Sequence, residues 1–393
     1  MHTYRDPPVT FERGHGTELW DTEGRRYLDF LSGLAVTSLG HSHPRVHAAL
    51  TEQAGTLLHV SNLFGNVHGP VVAATLDRLI GGGTEAGGQV FFTNSGAEAN
   101  ECALKLARRW AGPGRHVVVS TWDAFHGRTL ATLTATGHPD KHAPFAPLPE
   151  GFEHVDYDDL AALEAACDAE RVGAVLLEPI LGEAGVVMPS SDYLAGAVEL
   201  CRARGILLMV DEIQTGLGRT GSWFCFQQAG ISPDVVTMAK ALGNGVPVGA
   251  CWARAEVAAA FGPGDHGSTF GGQPLAMAAA RAVLDTMIDI DAPALARVAG
   301  ERLRAGLVKL PGVTGVRGLG LLLGVELASP CAAAVVDEAL ARGLVTNAPR
   351  ADTIRLAPPL TVSAEQIDEG LVLLGEALAA VMPGQTPSGR EEP

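Results

Sequence analysis

No two cysteines of this 393-residue chain stand in a CxxC spacing, and none joins a histidine in a compact ligand-like cluster. The six thiols, at positions 102, 167, 201, 225, 251 and 331, are scattered. That scatter argues against a disulfide framework or a zinc site. It fits reduced, mostly buried thiols of a cytosolic protein, and no metal is expected. No uninterrupted apolar run approaches the ~18 residues needed to span a bilayer. The opening residues, MHTYRDPPVTFERG, hold no apolar signal core, so no membrane partner is expected. Blocks of Lys or Arg are also missing: 28 basic residues face 44 acidic ones, a net charge of −16. That balance argues against nucleic acid as partner. A small anion needs only a few local cations and stays open. Neither GxGxxG nor a P-loop occurs, which weakens dinucleotide and ATP readings. No internal repeat or low-complexity linker breaks the chain, and only the tail PGQTPSGREEP reads as frayed.

What is present describes a folded, enzyme-sized protein with 47% hydrophobic and 18% charged residues. The length allows two domains or subdomains. HVVVST (116–121), AVLLEP (174–179), ILLMVDE (206–212), VVTMA (235–239) and VGACWA (248–253) are short continuous apolar runs. Helix-like stretches such as DYLAGAVELCRARG (192–205) separate several of them. Continuous rather than alternating runs between helices predict an α/β fold with a mainly parallel sheet covered on both faces. Residues 56–281 are expected to form one large domain. A smaller domain is expected from 1–55 together with 282–393, starting with a β-meander at GTELWDTEGRRYLDF.

In an open α/β sheet, ligands bind beyond the carboxyl ends of the strands. Those ends carry Glu178, Asp211 and Lys240. A lysine ending a core strand can simply reach water with its head, or it can be an amine held for chemistry. Residues 89–110 run from strand to helix, with Ala99, Cys102, Ala103, Leu106, Ala107 and Trp110 on one helical stripe. Ser95 with Glu98 is a capping-box pattern, which alone means only a well-capped helix. Gly96 and the small Ala97 add exposed N–H groups at the positive end of the helix dipole, a phosphate-binding geometry. In DAFHGRTL (123–130), taken in isolation, Phe125, His126 and Arg128 read first as a core aromatic, a polar loop residue and a surface charge. Alternatively, Phe125 stacks on a planar ring and Arg128 clamps a carboxylate.

Together these blocks resemble the fold-type I pyridoxal-phosphate enzymes. More narrowly they resemble the class III (ω-amino) aminotransferases, and within that family the acetylornithine-specific members. The resemblance rests on LWDTEGRRYLDFLSGLAV (19–36), LGHSHP (39–44), SNLFGN (61–66), FFTNSGAEANE (91–101) and FHGRT (125–129). It continues through LEPILGEAGV (177–186), VDEIQTGLGRTG (210–221), MAKALGNG (238–245), HGSTFGGQP (266–274) and IRLAPPL (354–360). It implies pyridoxal 5'-phosphate (PLP) as cofactor, with Lys240 linked to its aldehyde and shuttling a proton. Asp211 would pair with the protonated ring nitrogen, Gln214 with the phenolic oxygen, and Phe125 would stack on the ring. Ser95, Gly96 and Ala97 would hold the phosphate, helped by Thr269 from a partner subunit, so a homodimer with shared active sites is implied. Arg128, with Ser268 of the other subunit nearby, would take the carboxylate remote from the reacting amine. Arg355 would take the α-carboxylate of glutamate, with Glu183 as its removable partner.

The implied reaction transfers the terminal amine of N2-acetyl-L-ornithine to 2-oxoglutarate, as in arginine biosynthesis. Ornithine, succinylornithine or 4-aminobutyrate stand as alternative donors. A PLP-dependent aminomutase is a more distant rival, disfavoured because it has no need of the Arg355–Glu183 pair. A cofactor-binding scaffold without activity is disfavoured by the intact Lys240, Asp211, Gln214, Phe125 and Arg128. Departures from the family pattern are Leu181 in PILGE, Gln273 in GGQP and the stretch GNGVPVGA. Tyr4 reads equally as a substrate-side aromatic or a surface residue.

Overall fold

The computed structural model describes residues 1–383; the tail from 384 on, read as frayed, lies outside the described residues. Its centre is a seven-stranded sheet. In chain order the strands are β1 (Gly88–Thr93), β2 (Val117–Thr121), β3 (Phe152–Val155), β4 (Val172–Leu177), β5 (Leu207–Asp211), β6 (Val235–Met238) and β7 (Gly249–Arg254). In space they lie in the order β1-β7-β6-β5-β4-β2-β3. The five strands from β6 to β3 are mutually parallel, whereas β7 runs antiparallel to both β1 and β6. All five apolar runs read from the sequence fall on these strands.

Alternate residues of the central strands feed two separate cores. Ala174, Leu176 and Met209 face a cluster with Cys102, Ala103, Leu106 and Ala107 of the helix Gly96–Ala111. Val175, Leu177, Leu208 and Val210 face the larger core, with Leu76, Leu194, Met277 and Leu284 of helices on the other side. Both faces are covered, so both residue sets must be apolar, which is why the runs are continuous. Each buried Leu or Val contributes roughly 1.5–3 kcal/mol.

Two four-stranded sheets come from the chain ends. Phe11–His15, Glu18–Asp21 and Arg26–Asp29 form the meander, which Leu344–Val345 extends in parallel. Val313–Leu319, Leu322–Leu327, Asn347–Arg350 and Thr353–Leu356 build the other, antiparallel throughout. Buried Arg219 ties these parts together by donating to the carbonyls of Leu321 and Pro358 and to Ser38 Oγ. Because β2, β4, β5 and β6 are parallel, their carboxyl ends open on one edge. The residues that follow them, including Glu178 and Lys240, are thereby delivered to the same place.

Candidate active site

A cavity of about 390 Å³ lies at that edge. It brings together Ser95, Gly96, Ala97, Phe125, Arg128, Glu183, Asp211, Gln214 and Lys240, nine of the residues singled out in the sequence. A larger cavity, of about 1090 Å³, lies away from them and holds none of these groups.

Lys240 stands just past the end of β6 with a φ of 41°. That left-handed conformation costs a residue with a β-carbon roughly 1–2 kcal/mol, and here it turns the amine out of the strand line. The following glycines release the chain: a β-carbon at Gly243 would lie 2.0 Å from the Val246 carbonyl oxygen, and Gly245 has a φ of 112°. Burial holds the Lys240 amine below its ordinary range, opposed by nearby Glu183, Asp211 and Glu178. Glu178 is pushed well above the carboxylate range, first by burial and then by Asp211. Its Oε1 accepts from the backbone N–H of Phe125, which pins the aromatic loop to the end of β4.

Asp211 ends β5 and is buried. Its Oδ2 accepts from Asn100 Nδ2 and from His126 Nδ1, each at 2.8 Å, and its Oδ1 accepts from the Ile213 N–H at 3.0 Å. The helix Gly96–Ala111 starts as expected, with Ser95 Oγ accepting from the Glu98 N–H. The second half of the expected box differs. Glu98 Oε2 reaches back one residue further, to the N–H and side-chain amide of Asn94. The N–H groups of the first turn have no carbonyl four residues back in the helix, so Gly96 and Ala97 present donors at the cavity wall.

Arg128 is exposed, and its guanidinium carbon lies 5.5 Å from the centroid of the Phe125 ring; the Lys141 amine is 5.7 Å from the same ring. Arg355 sits behind the cavity and is 1% exposed. Its Nη1 donates to Glu183 Oε1 at 2.6 Å, to Gln214 Oε1 at 3.3 Å and to the Gly182 carbonyl at 3.2 Å. Its Nε donates to Asn347 Oδ1, while its buried Nη2 has no hydrogen-bond partner among the described residues. Burial would raise the Glu183 carboxyl, but Arg355 outweighs it and leaves the group below its usual range. Gly182 has a steric reason to be glycine: a β-carbon there would meet Gln214 Oε1 at 1.8 Å.

Ser268 and Thr269 do not line this cavity. They border a separate cleft of about 420 Å³ with Asn94, Glu98 and His266, and Thr269 is exposed. Leu181 is buried in a small cluster with Ala124, Ala184, Tyr157 and Val187, so it supports the Glu183 loop from behind. Tyr4 is exposed. Sequence reading missed Asn100 and Thr237, which reach the Asp211 carboxylate through hydrogen bonds. It placed His126 no further than a loop, although the side chain is buried against Asp211.

The residues present fit PLP. A half-buried amine stands ready for an aldehyde and a buried carboxylate for a protonated ring nitrogen. An aromatic and a helix N-terminus share the same cavity, near a buried guanidinium with an unfilled donor.

The comparisons agree with this geometry. The family model for aminotransferase class-III matches residues 1–378. An acetylornithine aminotransferase of Corynebacterium efficiens is 46% identical over 97% of this chain and 94% of its own length. One from Mycobacterium bovis is 48% identical over 94% and 91%. An ornithine aminotransferase from Toxoplasma gondii, solved with partial occupancy of PLP at its active site, superposes with a TM-score of 0.91. It shares 37% identity over 97% of this chain and 92% of its own. The N-acetylornithine aminotransferase of Stenotrophomonas maltophilia gives 0.84 at 37% identity, covering 96% and 97%. The fold is that of the fold-type I enzymes, and the chain belongs to the class III aminotransferase family, as a PLP-dependent aminotransferase.

Proposed function

We propose that this enzyme transfers the terminal amino group of N2-acetyl-L-ornithine to 2-oxoglutarate, giving N-acetylglutamate semialdehyde and glutamate. The observation that carries the proposal is the buried Arg355 guanidinium held by Glu183, a carboxylate that can leave it. One pocket must accept an uncharged chain beside the reacting amine in one half-reaction and a carboxylate there in the other. A guanidinium with a removable counter-ion meets both demands without standing unpaired. The choice of acetylornithine is supported by the names of the relatives at 43–48% identity over nearly the whole chain. Ornithine is the second reading, supported by the closer superposition of the Toxoplasma enzyme.

When bound, PLP supplies an aldehyde that captures amines and a ring that withdraws electrons from the substrate carbon. Lys240 would hold it and, freed, move a proton at Nζ; desolvation favours the neutral amine that this requires. Asp211 would accept from the ring nitrogen. The contact of Arg355 with Gln214 Oε1 leaves Gln214 Nε2 as the donor for the phenolic oxygen. Ser95 and the N–H groups of Gly96 and Ala97 would take the phosphate, with Phe125 against the ring. Arg128 would bind the carboxylate remote from the reacting amine.

Thr269 and Ser268 would serve the partner's cavity, which makes a homodimer the working unit. Supporting this, the neighbouring segment exposes Leu63, Phe64, Val67 and Phe270, and Asn62 ties it to the Ser268 and Gly271 carbonyls. An apolar patch of this kind is characteristic of an interface. We take residues 56–281 as the large domain and 1–55 with 282–393 as the small one. The pairing of Leu344–Val345 with Arg26–Asp29 across the two chain ends supports that division. Six free thiols fit the cytoplasm as the working compartment.

The test is a separated half-reaction. Acetylornithine alone should discharge the absorbance of the purified, PLP-loaded enzyme, and 2-oxoglutarate should restore it. Borohydride should fix the cofactor to Lys240. A spectrum unmoved by acetylornithine but discharged by ornithine would favour the second reading, and a label on another residue would overturn the role of Lys240.

A further inference from the structure

Asn100 lies on the buried side of the helix Gly96–Ala111, among alanines and leucines, and is fully buried. An asparagine in a helix interior is unfavourable by propensity, and a buried amide is costly unless its hydrogen bonds are made. Here they are made. Nδ2 donates to Asp211 Oδ2 and to the His126 carbonyl, each at 2.8 Å, and Oδ1 accepts from Thr237 Oγ1 at 2.7 Å. Thr237 belongs to β6, three residues before Lys240, and is fully buried. Asp211 Oδ2 and the His126 carbonyl only accept, so they fix the NH₂ group toward them, and the Thr237 hydroxyl, donating to Oδ1, anchors the other end of the amide.

The effect on Asp211 follows from counting acceptor positions. A carboxylate has about four, two on each oxygen. Asn100 and His126 occupy both on Oδ2, and the Ile213 N–H occupies one on Oδ1. The remaining position belongs to Oδ1. We propose that Asn100, anchored by Thr237, is a positioning residue that fixes which oxygen of Asp211 is offered to the cofactor's ring nitrogen. The inference rests on the reading of Asp211 as the partner of that nitrogen. It extends the cofactor site to β6, so the strand that leads to Lys240 also sets the carboxylate opposite it.

Thr237→Val tests this with little change of shape: it removes the donor to Oδ1 and leaves the amide anchored only at its NH₂ end. Asn100→Ala removes the amide itself, Thr237→Ser retains the hydroxyl, and Asp211→Asn tests the underlying reading. Cofactor-free forms are titrated with PLP, and the pH dependence of the bound absorbance band is recorded. Thermal unfolding checks that each variant folds. Asn100→Ala should weaken PLP binding about tenfold, as expected for one lost hydrogen bond to a charged group, and Thr237→Val should weaken it in the same direction by less. They should also shift the pH profile of the band and lower kcat more than they raise KM for 2-oxoglutarate. Thr237→Ser should restore the wild-type affinity and profile. Wild-type affinity and pH profile in both Thr237→Val and Asn100→Ala, beside a defective Asp211→Asn, would overturn the positioning role alone. Wild-type binding and spectrum in Asp211→Asn would overturn the reading of Asp211 and the inference with it.

Discussion

Arg355 and Glu183, 172 positions apart in sequence, meet at 2.6 Å, and the contact is lopsided: the arginine side chain is 1% exposed and the glutamate 33%. The carboxylate can swing to water; the guanidinium cannot. Any exchange of partners at this site therefore moves Glu183 and leaves Arg355 in place.

Glu183→Gln should accordingly separate the two half-reactions. The uncharged amide no longer compensates Arg355 while the amine donor is bound, yet it gives way as readily to the glutamate carboxylate. The ratio of kcat/KM for glutamate to that for the ω-amine donor should rise about tenfold, equivalent to about 1.4 kcal/mol. Single-turnover kinetics of each half-reaction measure it, and an unchanged ratio would discredit the exchange.

Lys240 should make the cofactor-free protein pH-sensitive. Burial lowers its folded-state value, whereas the unfolded chain keeps the ordinary value near ~10.4. Between those values the unfolded state binds more protons, so stability rises with pH through that window. Lys240→Met removes the effect. The variant should be more stable than wild type at pH 7, and the gap should narrow toward pH 10 in denaturant unfolding. A gap independent of pH would contradict the desolvated amine.

Glu212 should act in the opposite sense. Burial chiefly raises it to about 7, although Thr215 and the Phe226 N–H donate to its oxygens. The folded state then holds a proton that the unfolded chain has released, and stability falls as pH rises from the ordinary carboxyl range to about 7. Glu212→Gln should gain on wild type across that interval and run parallel to it above. Parallel behaviour from pH 4 upward would show that the group is not raised.

Ser95 joins helix stability to the cofactor site. Ser95→Ala removes the cap on Glu98 and should cost about 1 kcal/mol in urea unfolding of the cofactor-free protein. It should also weaken PLP binding. A stability loss without a change in PLP affinity would confine Ser95 to capping.

The residues of the candidate site that share one cavity were legible in sequence where they sit in short local motifs. Lys240, Asp211 and Gln214 each stand at or just past the end of a strand read from its apolar run, and the Ser95–Ala97 turn was read from its helix start. The antiparallel direction of β7 was not legible, because a strand buried on both faces has the same apolar pattern in either direction. Asn100 was hidden on the apolar stripe of its helix, and Thr237 passes for an ordinary β-branched strand residue. Their shared role appears only when positions 137 apart come together. Glu98 closes on Asn94 rather than Ser95, a difference of one residue that spacing alone does not resolve.

The substrate assignment is tested most directly by kcat/KM for N2-acetyl-L-ornithine, succinylornithine, ornithine and 4-aminobutyrate, each with 2-oxoglutarate as acceptor. Acetylornithine is expected to rank first, with parallel double-reciprocal lines for the two substrates. A higher value for ornithine or 4-aminobutyrate would contradict the assignment.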